Sequence, residues 1–257
     1  MRSNIGVIAT ILFSASLLGG AAPAAPPPPP HCEVPQELLA SDIDLSRALN
    51  EAKTQHRLDI SVIGTGSSAL AGPDGVRFAY PARLEDALKQ QFPGIDIKVT
   101  PHVQPRATTG AMASGLTKIL ADDKPALVIW QTGTVDALQG IEPEDFRASL
   151  EEGVEKIQTA GADVILMNMQ YSPRTESMLD VSAYGDVIHA VAQQRGALLF
   201  DRFAIMHSWN DAGTFDLYSA TKKYDMARLV HDCIGWALAS QIITAAHLDA
   251  VRMQTTR

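Results

Sequence analysis

Residues 58–72 read LDISVIGTGSSALAG: an apolar run that breaks at Gly64 into glycine and serine. Isoleucine and valine in such a run suit a strand buried on both faces, as in a parallel sheet. The break is either a plain tight turn or a turn that presents a serine. Similar runs recur downstream: IDIKVT (95–100), ALVIWQ (126–131), DVILMNM (163–169) and ALLFD (197–201). Between them, YPARLEDALKQQF (80–92) carries Leu84, Leu88 and Phe92 at spacings of four. EDFRASLEEGVEKIQTAG (144–161) places Phe146, Leu150, Val154 and Ile157 on one helical face, with Gly161 as a stop. A final helix is expected over residues 224–246. Strand and helix alternating with short connections predict an α/β fold, a doubly wound five-stranded parallel sheet in three α/β/α layers. In the flavodoxin-like order 2-1-3-4-5, ligands bind where the strand order reverses, between the first and third strands. The serine turn and QTGTVDAL (131–138) follow those two strands.

A dinucleotide-binding domain would share this layout, but the turn does not carry its glycine spacing, and no acidic residue closes the second strand. The chain has 257 residues, 46% of them hydrophobic, and a formal charge of −8. With no basic run, nucleic acid is not expected as a partner. The first 24 residues carry Arg2, then an apolar run from Ile5 to Leu18, then Ala22-Pro23-Ala24. That is the order of a signal peptide, and the run is short for a membrane span. Export to the periplasm or medium is the expectation, with no stable membrane span once the signal is removed. PPPPP (26–30) lies in a stiff spacer over residues 25–34, leaving one domain over 35–250. The two cysteines, Cys32 and Cys233, then lie in an oxidising compartment, and a bridge between them is expected. They lack the histidine spacing of a zinc site.

The segment Gly66-Ser67-Ser68-Ala69-Leu70-Ala71-Gly72 resembles the G-D-S-L-x-x-G block of SGNH/GDSL hydrolases, with Ser67 at the family's aspartate and Ser68 at its nucleophile. The likeness continues through YPARLEDALKQQFPGIDIKV, VIWQTGTVDAL and ILMNMQYSPR, covering about residues 58–242. It implies hydrolysis of an ester, an acyl group on a carbohydrate or lipid, without metal or organic cofactor. Such a serine needs a histidine to take its proton, and that histidine needs an orienting acid. The oxyanion needs donors already in place; here Ser68 N–H, Gly133 and Thr134 are the candidates, with Asn168 and Gln170 lining the cleft.

Three blocks depart from the pattern. Val135 replaces the asparagine donor, no glycine precedes Thr108 in TPHVQPRATTG (100–110), and the D-x-x-H block is absent as written. His231, at the edge of the stripe Val230, Ile234, Ala237, Leu238 and Gln241, is the candidate base, with His31 in reserve. Asp216 is its orienting acid, or else the relic of D-x-x-H with Ser219 in the histidine's place. In that second alignment catalysis is lost, and the chain keeps the frame to bind a cell-envelope glycan or protein.

Overall fold

The computed structural model describes Pro29 and residues 31–178, 180–218 and 224–255. The signal segment read at 1–24, most of the Pro-rich spacer and Ser219 lie outside the described residues. After a 3-10 turn (Gln36–Leu38), the first part of the chain forms α1 (Ser46–Gln55), β1 (Arg57–Gly64), a second 3-10 turn (Gly66–Ser68), α2 (Gly75–Phe78), α3 (Tyr80–Gln91) and β2 (Asp96–Val103). Then come α4 (Thr109–Asp123), β3 (Leu127–Gln131), α5 (Thr134–Gln139), α6 (Pro143–Thr159) and β4 (Asp163–Met167). The remainder is α7 (Pro173–Met178), α8 (Ser182–Arg195), β5 (Leu198–Phe200), α9 (Arg202–Asp211), α10 (Tyr224–Ala245) and α11 (Leu248–Thr255).

All five strands are parallel, in the order β2-β1-β3-β4-β5 expected from the sequence. Side chains alternate across the sheet. Leu58, Ile60, Val62, Ile129 and Ile165 therefore meet α1, α3, α10 and α11 on one face. Ile63, Val128, Trp130, Val164 and Leu166 meet α4, α6 and α8 on the other. This is the three-layer α/β/α architecture. The switch in strand order lies between β1 and β3, and the turn Gly66–Ser68 sits directly beyond β1.

One close approach sets the geometry of the site. A Cβ added to Gly235, on α10, would stand 2.8 Å from the backbone nitrogen of Leu84 and 2.5 Å from Arg83 Cβ on α3. Only glycine lets the two helices come this near. Gly235 is one turn beyond His231, so the contact also brings His231 against the start of α3.

Cys32 and Cys233 form a disulfide spanning 201 residues of sequence. It fastens residues 31–34 to α10, and Trp209 Nε1 donates to Glu33 O at 2.7 Å on the same segment. Both half-cystines are fully buried. Closing so long a loop restricts the unfolded chain. Replacing both cysteines with alanine is expected to lower the unfolding free energy by about 2–5 kcal/mol in chemical denaturation. An unchanged midpoint would show that the bridge does not constrain the fold.

Candidate active site

Ser68 closes the 3-10 turn after β1, and three residues per turn point its side chain back beneath the strand end. The residue is 1% exposed. Its hydroxyl donates to Gln131 Oε1 at 2.9 Å and lies 2.9 Å from the Tyr80 hydroxyl. An amide oxygen can only accept, so the serine proton points at Gln131 and the Tyr80 hydroxyl donates to Ser68 Oγ. Gly64 makes room for this: a Cβ there would fall 2.1 Å from Ser68 Oγ. The Ser68 backbone N–H, expected to be an oxyanion donor, donates to Thr65 O at 2.9 Å. Gly66, by contrast, is exposed and faces open space, with nothing within 4 Å of a Cβ built on it. Gly66 is thus the exposed position of this turn, while Ser68 is buried and lines a cavity between β2 and α3.

Gln131 ends β3 and is fully buried. Besides Ser68, its Oε1 lies within reach of Thr65 N–H at 3.3 Å, Thr65 Oγ1 at 3.4 Å and Ser67 Oγ at 3.1 Å. One side-chain oxygen thus gathers the whole serine turn. Its Nε2 has no hydrogen-bond partner among the described residues.

His231 lies near Ser68 through Tyr80 rather than through a bond of its own. Its Nδ1 accepts the Tyr80 backbone N–H at 2.9 Å, and the two rings sit 5.9 Å apart. That amide opens α3 and has no partner within its own helix. A backbone N–H can only donate, so Nδ1 carries a lone pair and the neutral ring holds its proton on Nε2. In a serine–histidine–acid triad the roles are reversed: Nδ1–H donates to the acid and Nε2 accepts the serine proton. Burial, aided by the positive charge of Arg202, pushes the His231 pKa down to about 3. Among the described residues no hydrogen bond joins Ser68 to His231.

The remaining candidates are engaged elsewhere. Asp216 Oδ1 accepts the N–H of Tyr218 within its own turn. An Nδ1 that already accepts from Tyr80 has no proton to give a carboxylate, so the predicted orienting role has nothing to act on. Asn168 donates from Nδ2 to Asp201 Oδ1 and accepts from Phe203 N–H. Gln170 Oε1 accepts from Arg202. Gly133 adopts φ 96° as the residue before α5, where a Cβ would strike Met169 Sδ at 2.6 Å. Thr134 follows it with a buried hydroxyl that has no hydrogen-bond partner among the described residues, and Val135 is 8% exposed. Asp136 braces Thr109 at the head of α4 through its N–H and hydroxyl, a structural role.

Three residues of the cluster escaped sequence reasoning: Tyr80, Gln131 and Arg202. Arg202 is 1% exposed, with long bonds of 3.3 Å to Ser67 O and Gln170 Oε1 and its charge 5.7 Å above the Tyr80 ring. Burial lowers its pKa to about 10, which leaves it charged. Among the described residues it has no carboxylate partner within ion-pair distance. The signal for Gln131 was present, since a glutamine closing an apolar strand at the carboxyl edge must find buried partners.

The profile of the non-GDSL lipase-like family matches residues 31–248. The chain belongs to that family. It is thereby an SGNH/GDSL-like hydrolase relative, as the serine block suggested. Esterase TesA of Pseudomonas aeruginosa is 30% identical over 142 residues, which are 55% of this chain and 69% of TesA. A crystal structure of TesA superposes with a TM-score of 0.58 at 23% identity, covering 75% of this chain and 99% of that one. Axe2, an acetylxylan esterase from Geobacillus stearothermophilus, gives 0.58 at 19% identity over 74% of this chain and 94% of its own. These two structures share the fold.

Two measurements check the cluster. Ser68→Ala removes the acceptor for the buried Tyr80 hydroxyl and is expected to cost about 1–3 kcal/mol of stability. For His231, the folded pKa lies below the unfolded value of 6.5. The unfolded chain therefore binds the proton first, and stability is fully present above about pH 6.5 and falls as pH drops towards 3. The loss is at most ~1.4 kcal/mol per pH unit. His231→Asn keeps an acceptor for Tyr80 N–H but not the titration, so denaturation midpoints followed from pH 7 to 4 should fall less steeply. Parallel pH curves would contradict the assignment.

Proposed function

We propose that this chain is an exported, catalytically silent member of its family, which binds a ligand at the carboxyl edge of the sheet and does not hydrolyse it. The observation that carries this reading is the hydrogen bond from Tyr80 N–H to His231 Nδ1. It leaves a protonated Nε2 on the ring, while the Ser68 proton is already given to Gln131. Neither partner of a serine–histidine pair is in the state that proton transfer requires. The Ser68 N–H, already given to Thr65 O, and Val135, which has no side-chain donor, support the same reading for the oxyanion site. Export is supported by the signal-like first 24 residues and by the disulfide. Among the described residues no helix is long and apolar enough to cross a membrane.

Ester hydrolysis is the second reading, favoured by the likeness to esterase TesA. It requires the Ser68 proton to leave Gln131 and the imidazole to exchange its tautomer. The test is fluorophosphonate labelling of the full-length chain, with turnover of p-nitrophenyl acetate measured alongside. Wild type and Ser68→Ala are expected to be equally unlabelled and equally slow. Labelling of a folded wild type that vanishes in Ser68→Ala would replace binding with hydrolysis.

A further inference from the structure

A cavity of about 580 Å³, distinct from the one beside Ser68, lies between α7, α8 and the segments that follow β4 and β5. None of Ser68, Tyr80, Gln131 and His231 lines it. Its volume is in the range of small-molecule sites. It exists because α8 carries two stripes of different character. Tyr184, Val187, Ile188 and Val191 are buried in the core. Ser182, Gly185, Asp186 and His189 recur at the same helical spacing and line the cavity instead. Gly185 holds the space open: a Cβ built there would meet only Met169 Cε, at an ordinary 3.7 Å. Glycine disfavours a helix interior, so this opening is kept against the helix's own preference.

The floor is apolar and the wall is acidic. Met169 and Val181 are buried and Phe203 half-buried beneath the opening, and Met178 stands 79% exposed beside it. No lysine or arginine lines the cavity. Two of its carboxylates are answered by their own surroundings. Asp201 meets His189 at 3.2 Å and Asn168 Nδ2 at 2.7 Å. Asp180 accepts the N–H of Ser182 at 2.9 Å and its hydroxyl at 2.5 Å, which occupies it at the head of α8. Glu176 and Asp186 have no cationic partner within ion-pair distance among the described residues. Acids on an open face would only be solvated. Here they border a walled apolar space, and charge of one sign beside low-dielectric walls focuses the field into it. Such a space is complementary to a ligand with an apolar body and a positive head.

We propose that this cavity binds a small organic cation, an ammonium group on an apolar body, with the body on Met169, Val181 and Phe203 and the charge at Glu176 and Asp186. The inference rests on the binding function proposed above and names its ligand class and its place on the carboxyl edge of the sheet.

The experiment is isothermal titration of the full-length protein with hexyltrimethylammonium. Hexanol and hexanoate serve as neutral and anionic heads on the same tail, and tetramethylammonium as the head alone. Hexyltrimethylammonium is expected to bind with one site per chain, and each of the other three about tenfold more weakly or worse. Glu176→Gln combined with Asp186→Asn should weaken it about tenfold and leave hexanol unchanged. Gly185→Leu enters the cavity from an ordinary helical position and should abolish binding. Should Gly185→Leu not fold, the two exposed charge substitutions keep the test decisive. No binding at millimolar concentration, equal binding of hexanol, or binding that these variants leave unchanged overturns the proposal. Such a failure leaves the silent-enzyme reading standing, because only Ser68-dependent labelling bears on that.

Discussion

The backbone amide of Tyr80 has no acceptor within α3, and the fold satisfies it with a side chain from the other end of the sequence, 151 residues away. Much of the site depends on that contact. It requires α10 to lie close against α3, which Gly235 permits and a β-carbon would forbid. It sets the Tyr80 ring beside His231 and its hydroxyl against Ser68. It also decides the chemistry, because a nitrogen that accepts from a backbone N–H cannot also be the nitrogen that donates to an acid. The ring is held neutral by burial and by Arg202. On the reading proposed above, a serine and a histidine joined only through Tyr80 do not make a nucleophile.

The other half of the arrangement is Gln131. Its single carbonyl oxygen attracts the hydroxyls of Thr65, Ser67 and Ser68, which turns the serine loop towards the sheet. A buried polar cluster of this kind is costly unless its members satisfy one another, and most of these do. Arg202 completes it by holding Ser67 O and facing the Tyr80 ring. A buried, unpaired guanidinium costs several kcal/mol of desolvation, and the aromatic face and two carbonyl-type acceptors offset part of that cost. The cluster lies at the strand switch, where the resemblance to a hydrolase placed reacting groups.

Much of the fold was legible because local and global signals agree. Apolar runs such as ALVIWQ and DVILMNM suit strands buried on both faces, and the observed strands lie within or close to them. The helical stripe through Val230, Ile234, Ala237 and Leu238 is buried as its spacing requires, and His231 lies beside it. The site was legible only in part, because direction is not encoded in spacing. Nothing local to GTGSSALAG says that Ser68 is buried while Gly66 is exposed; that depends on a 3-10 turn whose anchor, Gln131, is more than sixty residues further on. The tautomer of His231 is fixed by a contact still more distant. The disulfide was accessible by a different route, from compartment and cysteine count rather than from pattern.

The measurement that bears most directly on this account is the protonation pattern of the His231 ring, read from long-range nitrogen–proton correlations in a nitrogen-15-labelled sample between pH 5 and pH 8. The expected result is a neutral ring throughout, with an unprotonated Nδ1, a protonated Nε2 and no titration in that range. A proton on Nδ1, or a titration near the ordinary histidine value, would contradict it and return His231 to the role of a catalytic base.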